Sequence, residues 1–121
     1  MQCDIEAFVK ISDTDAVLSL LATVTGPLVN VDDDPPDDPH LHIYKSGALL
    51  LILSPMDDGF LSVWMNAASP WPSSPAFARF LAAHLQCIVR CDPQSDYPEV
   101  PWYSDVFLHI EGGVETLFSW E

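Results

Sequence analysis

Two histidines follow a run of carboxylates and prolines at residues 32–39, DDDPPDDP, and a metal site is the first chemistry to consider. His40 and His42 are spaced so that on a strand both would point to the same side of the sheet. Neighbouring carboxylates would then complete a ligand set. The Asp/Pro run, however, lacks the glycine and the alternating ligand spacing of a calcium loop. We therefore interpret the histidines as exposed imidazoles at a strand start, and we expect no metal and no cofactor.

Cys87, Cys91 and His84 are the second group of reactive side chains. On one strand the Cα atoms of the two cysteines would lie about 13 Å apart, which is too far for a disulfide. A catalytic pair of Cys87 and His84 is the functional alternative, but nearness in sequence says little about geometry. No nucleophile elbow, phosphate-binding glycine loop or paired acid motif accompanies it. We expect free buried thiols, no catalytic residue and no enzyme activity.

Acidic and aromatic residues share proline-rich loops, and this combination is more informative. Aromatic side chains held by prolines and rimmed by acids are typical of protein interfaces, where rings act as anchors and charges steer the partner. The alternative is that Trp71, Trp102 and Tyr103 only cover the ends of the core. Trp64 and Trp120 lie within strand patterns and are assigned to the core. The candidate partner-binding residues are Asp32, Asp33, Asp34, Asp37, Asp38, Asp96, Tyr97, Glu99, Trp102 and Tyr103.

The net charge limits the kinds of molecule that we expect the protein to bind. The 121 residues include 18 Asp and Glu but only 4 Lys and Arg, which gives a formal charge of -14. Nucleic acids and anionic membranes bind clustered basic side chains, so we expect neither as a partner. A basic protein domain would instead be attracted and steered. The alternative is a solubility device or salt adaptation, although much of the acid is concentrated in two segments.

The stretch at residues 47–65, GALLLILSPMDDGFLSVWM, predicts the central β-hairpin of the fold. Its unbroken apolar run at 48–53 fits a strand that is buried on both faces. Asp58-Gly59 is a turn signal, because glycine adopts a positive φ without steric cost. The aromatic and β-branched residues at 60–65 fit the returning strand.

An alternating segment and a helix precede this hairpin. Residues 4–11 change face with every residue, which predicts a half-buried strand. Ser12 and Asp15 resemble a capping pair, apolar residues recur at helical spacing up to Val24, and Gly26-Pro27 ends the helix. The strand carries Ile5, Ala7, Val9 and Ile11 on one face, and Asp4, Glu6, Phe8 and Lys10 on the other.

The remaining segments complete one domain. Ser74-Pro75 begins a second helix, with the serine as cap and the proline in the first turn, and Gly112-Gly113 supplies a hairpin turn. The segments are an extended stretch or short strand at 28–31, a helix at 74–85, a strand at 87–91, a loop at 92–104 and paired strands at 105–111 and 114–120. Residues 40–44 lead into the central hairpin, either as one long strand or as two strands with a tight bend. This order predicts a single α+β domain over residues 1–121, with a mostly antiparallel sheet, two helices on one face, a ferredoxin-like split β-α-β core and a C-terminal β-hairpin.

The N-terminus and the cysteines predict a location. Residues 1–4, MQCD, lack the basic start of a signal peptide, and no apolar run approaches the roughly 20 residues of a membrane span. The odd set of Cys3, Cys87 and Cys91 does not form a disulfide framework. We expect a cytoplasmic protein without membrane contact, as a monomer or weak dimer.

In length, net charge and the acidic and aromatic loops at 32–38 and 92–105, the chain resembles the small acidic immunity proteins of bacterial polymorphic toxin systems. The resemblance implies a protein that binds a cognate toxin domain and blocks its active site or substrate path. Carboxylates would then occupy the place of substrate phosphates. The alternatives are a ligand-binding or regulatory ferredoxin-like domain with a pocket on its sheet, and an acidic mimic of nucleic acid.

Overall fold

The computed structural model describes residues 4–31, 42–56, 58–93, 97, 99–100 and 105–119. Within these residues, two helices and eight strands form. They are, in chain order, β1 (Ile5–Val9), α1 (Thr14–Thr25), β2 (Val29–Asn30), β3 (His42–Ser46), β4 (Leu49–Pro55), β5 (Leu61–Met65), α2 (Ser74–Leu85), β6 (Val89–Cys91), β7 (Val106–Glu111) and β8 (Val114–Ser119).

All eight strands belong to one open sheet with the order β2-β3-β4-β5-β1-β6-β7-β8, and neighbouring strands are antiparallel. Helix α2 leads from β5 to β6, and β1 lies between these two strands in the sheet. The two helices contact each other, and their buried residues belong to one core, so both cover the same face. The α+β class and the antiparallel sheet are confirmed, while the ferredoxin-like relationship stays a prediction.

The central hairpin forms as predicted, but its first strand is not buried on both faces. Strand β4 alternates: Leu49, Leu51 and Leu53 are buried against the helices, whereas Leu50 and Ile52 are only half-buried on the opposite face. The expectation of a two-sided strand was wrong, because no described helix or strand covers that opposite face. An apolar run alone does not distinguish a covered face from an open one.

Both helices begin beside the predicted cap residues. In α1 the N–H of Ala16 donates to Oδ1 of Asp13 at 3.1 Å, so Asp13 is the cap and Ser12 is not. In α2 the N–H of Ala76 donates to Oγ of Ser73 at 3.2 Å. Ser74, the predicted cap, is buried, and its Oγ accepts from the N–H of Glu6 at 3.1 Å. Its hydroxyl therefore ties α2 to β1.

Trp71 belongs to the core. It is 9% exposed, and its ring lies 4.7 Å from that of Phe77 and 5.0 Å from that of Phe80. Trp71 was predicted either to anchor an interface or to cover an end of the core, and the structure supports the second alternative. Cys91 is buried in β6, Cys87 is half-buried before that strand, and neither forms a disulfide with another described residue.

Neither described helix has the length and apolar composition needed to cross a membrane.

Candidate protein-binding surface

The structure describes two of the predicted interface residues. Tyr97 is half-buried and packs against the hydrophobic core, and its carbonyl accepts from the N–H of Val100 at 3.0 Å. Glu99, in the same turn, is exposed. The core therefore holds Tyr97 in place, while Glu99 faces solvent. The predicted residues Asp32, Asp33, Asp34, Asp37, Asp38, Asp96, Trp102 and Tyr103 lie outside the described residues.

The sheet face opposite the helices, here called the open face, carries the aromatic and charged side chains that the strands turn away from the core. Alternation along each strand assigns them, since Ile5, Ala7 and Val9 are buried against the helices and the intervening residues are not. Trp64 lies on this face and is half-buried, so its assignment to the core was wrong. It pairs across the sheet with Glu6. Other members are Phe8, Ser62, Arg90, Phe107, His109 and Phe118.

Three carboxylates and three aromatic rings meet at one end of the open face, in a depression of about 390 Å³ that we call the acidic depression. Two of its rings, those of Phe8 and Phe107, make an edge contact with their centroids 6.0 Å apart and their planes nearly perpendicular. Within it, Oε2 of Glu6 accepts from Oγ of Ser62 at 2.6 Å, which orients this carboxylate. The lining residues are Asp4, Ile5, Glu6, Phe8, Trp64, Ser74, Asp92 and Phe107.

This combination is suited to a cation. A Lys or Arg side chain gains an ion pair from a carboxylate and a cation–π contact from an aromatic face. None of the residues that line the depression is a Lys or an Arg. Among the described residues, no group of three His, Cys, Asp or Glu side chains has an arrangement that could hold a metal ion. The aromatic rings beside the carboxylates suit an organic cation.

Farther along the open face, Arg90 of β6 lies between two aromatic rings. Its guanidinium carbon is 4.7 Å from the ring centroid of Phe60 and 4.3 Å from that of Phe118. Burial lowers the pKa of Arg90, and the charges of Asp58 and Glu111 oppose that shift. Stacking and nearby carboxylates thus keep one of the few basic side chains of this protein at the surface of the sheet.

A histidine links Arg90 to a carboxylate. Nε of Arg90 donates to Nδ1 of His109 at 3.0 Å, and Nε2 of His109 lies 3.1 Å from Oε1 of Glu111. Because Nδ1 accepts a hydrogen bond, the proton of a neutral His109 is on Nε2 and points to Glu111. The chain of contacts fixes the side chain of Arg90 and leaves the exposed ring of Phe118 above it.

A second cavity, which we call the hairpin cleft, lies between α2 and the β7–β8 turn and measures about 610 Å³. The side chains of Ala82, Ala83 and Ile110 make part of its wall, together with the ion pair of Arg79 and Glu115. Cys87 also lines the cleft. Burial raises the pKa of its thiol, against a smaller opposing effect of a hydrogen bond with the backbone of Lys10.

Comparison with known proteins does not indicate a function. No family model, curated protein or solved structure matches the chain. The resemblance to immunity proteins therefore remains one of size, charge and loop composition.

Part of the acidic depression is visible in the sequence. The alternation of residues 4–11 puts Asp4, Glu6 and Phe8 on one face. The sequence does not show that Trp64 and Phe107 lie beside them, because that depends on the order of strands from distant parts of the chain. The sequence does not show the contact between Arg90 and His109 for the same reason. Their strands, β6 and β7, are neighbours only in the folded sheet.

Proposed function

We propose that this protein binds a basic protein domain, and that the acidic depression receives a Lys or Arg side chain of that partner. The observation that carries the proposal is the meeting of three carboxylates with three aromatic rings in one depression of a chain with a net charge of -14. Interface hot spots are commonly aromatic, and charged groups around them speed and orient association.

The partner class that fits best is a bacterial toxin domain, which makes the protein a cytoplasmic immunity protein that acts by binding and not by catalysis. Toxin domains that act on nucleic acids or nucleotides carry basic sites for phosphate, and clustered carboxylates are complementary to such sites. The acids at 32–38 and 96, together with Trp102 and Tyr103, remain part of the proposed interface.

Affinity capture from the native cells, with mass spectrometry of the bound proteins, tests this proposal. The wild-type protein should retain a basic protein at low salt and release it at high salt, since the attraction is screened beyond about 8 Å at physiological ionic strength. Asp4→Asn combined with Trp64→Ala should lose that protein.

The control for the lost charge is Asp15→Asn, which removes one exposed carboxylate from the first turn of α1, on the covered side of the sheet. It should retain the partner. Capture of no basic protein, or equal loss with the control variant, would contradict the proposal.

The hairpin cleft favours a second candidate function, the binding of a small apolar ligand. Its volume lies within the range of small-molecule sites, about 300–1,000 Å³. Ala83→Trp should fill the cleft, so a neutral dye such as Nile red should bind the wild type and not this variant. Equal fluorescence of the dye with both proteins would remove this candidate.

A further inference from the structure

Strand β8 is an edge of the sheet that no described element protects. Only β7 pairs with it in the part of the chain that the structure describes. All six of its residues are exposed, including Val114 at 62%, Leu117 at 42% and Phe118 at 38%. An edge strand of this length and composition is a template for a further strand, which natural proteins usually block with charges, proline or a bulge.

The hairpin turn determines which backbone groups point outward. Gly112 and Gly113 have φ values of 59° and 81°, as in a two-residue type I′ turn. In such a hairpin the closing pair, Glu111 and Val114, is hydrogen-bonded, and bonded pairs then alternate with unbonded ones along the strands. The N–H and C=O groups of Glu115, Leu117 and Ser119 therefore face away from β7.

The single charged side chain of β8, Glu115, does not protect this edge from pairing. The carboxylate of Glu115 is held by Arg79 of α2 in a two-pronged ion pair, with Nε to Oε2 at 2.9 Å and Nη2 to Oε1 at 3.0 Å. Glu115 thus lies on the helix side of the sheet. The remaining side chains of β8 are uncharged.

The net charge of the molecule indicates which kind of chain can pair with β8. A second copy of this chain would bring two net charges of -14 together, which opposes pairing of one β8 with another. A basic segment would be attracted by the same charge. We propose that β8 binds an extended basic segment of the partner as an added antiparallel strand. This inference rests on the proposed function for the identity of the partner.

Strand addition makes a specific prediction for Leu117. Leu117→Pro removes an outward N–H, and proline is tolerated on an edge strand where its nitrogen faces solvent. Leu117→Thr removes the apolar side chain and keeps the N–H. We expect the proline variant to weaken binding of a basic strand about tenfold or more, and the threonine variant to change it by less than about threefold.

The probe is a fluorescein-labelled peptide of about ten residues in which Lys alternates with Val, and the matched control peptide alternates Lys with Gly. Both peptides carry the same charge, but only the first favours a strand. Fluorescence anisotropy should show tighter binding of the Lys-Val peptide, and the amide signals of Glu115, Leu117 and Ser119 should shift in NMR spectra. Equal binding of both peptides, or of the wild type and Leu117→Pro, would overturn the proposal.

A backbone-modified peptide tests strand addition even if the Leu117→Pro variant does not fold. Methylation of every backbone nitrogen in the Lys-Val peptide removes the N–H donors on both edges of its strand, and with them the peptide's hydrogen bonds to the carbonyls of β8, while the protein stays wild type. This peptide should bind as weakly as the Lys-Gly control, and undiminished binding would contradict strand addition. Sedimentation of the wild type should give a monomer, since a dimer abolished by Leu117→Pro would assign the edge to a second copy.

Failure of strand addition is distinguishable from failure of the proposed function. If the captured basic protein binds Leu117→Pro as tightly as the wild type, β8 is not the docking edge and the proposed function stands. If the wild type captures no basic protein, the proposed function is wrong whatever the peptides do.

Discussion

Arg90 is one of only 4 basic Lys and Arg side chains in the chain, and it lies between the rings of Phe60 and Phe118. A planar guanidinium stacks on both rings and also donates to His109, whereas an ammonium group does not reproduce this geometry. Arg90→Lys should therefore lower the free energy of unfolding by about 1 kcal/mol.

Arg79→Lys is the matched control for Arg90, because it makes the same change at an exposed ion pair with Glu115. Exposed ion pairs contribute about 0–1 kcal/mol, so the control should lose less stability. Urea denaturation of both variants measures the difference. Equal losses would mean that the stacking of Arg90 adds nothing beyond its charge.

Cys87 supplies a second residue-level prediction. Burial raises the pKa of its thiol, so the folded protein holds this proton more tightly than the unfolded chain does. The resulting stability is fully present below the unfolded pKa of about 8.5 and is lost as the pH rises through the folded pKa. At a pH of about 8.5, iodoacetamide should modify Cys87 more slowly in the native protein than in urea, as measured by peptide mass spectrometry. Equal rates would contradict the partial burial of the Cys87 thiol.

At the scale of the element, β4 tests whether one face or both faces of the sheet are buried. Leu51 is fully buried against the helices, while Leu50 beside it is half-buried on the open face. Leu51→Asp should destabilise the protein by about 3–5 kcal/mol, and Leu50→Asp by clearly less. Thermal melting of the two variants is the measurement. A similar loss of stability in both variants would mean that β4 is buried on both faces.

The order of elements could be predicted because each one has a local pattern. Alternation marked β1, helical spacing marked α1 and α2, and Gly112-Gly113 marked the last turn. The caps were displaced by one residue, since adjacent serines or a serine beside an aspartate offer the same oxygen chemistry. The choice depends on other contacts, such as the hydrogen bond between Ser74 and Glu6.

The candidate surface was less predictable than the elements. The sequence predicted an interface of acids and aromatic residues in the loops, and the predicted loop residues lie mostly outside the described part of the chain. The structure brings Asp4, Glu6 and Trp64 together across strands that are distant in sequence. Pairing between such strands is non-local, so a pattern that extends over a few residues does not contain it.

At the scale of the whole molecule, the charge of -14 acts on every encounter. It repels polyanions and other copies of this chain, and it attracts basic domains over a distance set by the ionic strength. In the function proposed above, the acidic depression and the β8 edge supply short-range contacts for a partner that the charge has brought near. Long-range attraction changes the association rate, and short-range contacts change the dissociation rate.

The association rate of the captured basic partner as a function of salt tests this account most directly. Between about 50 and 500 mM salt, stopped-flow measurements should show association slowing by about tenfold or more while dissociation changes little. Asp4→Asn should slow association at low salt more than Asp15→Asn, although both remove one charge. An association rate that does not depend on salt, or that responds equally to the two variants, would contradict a charge-steered partner at the acidic depression.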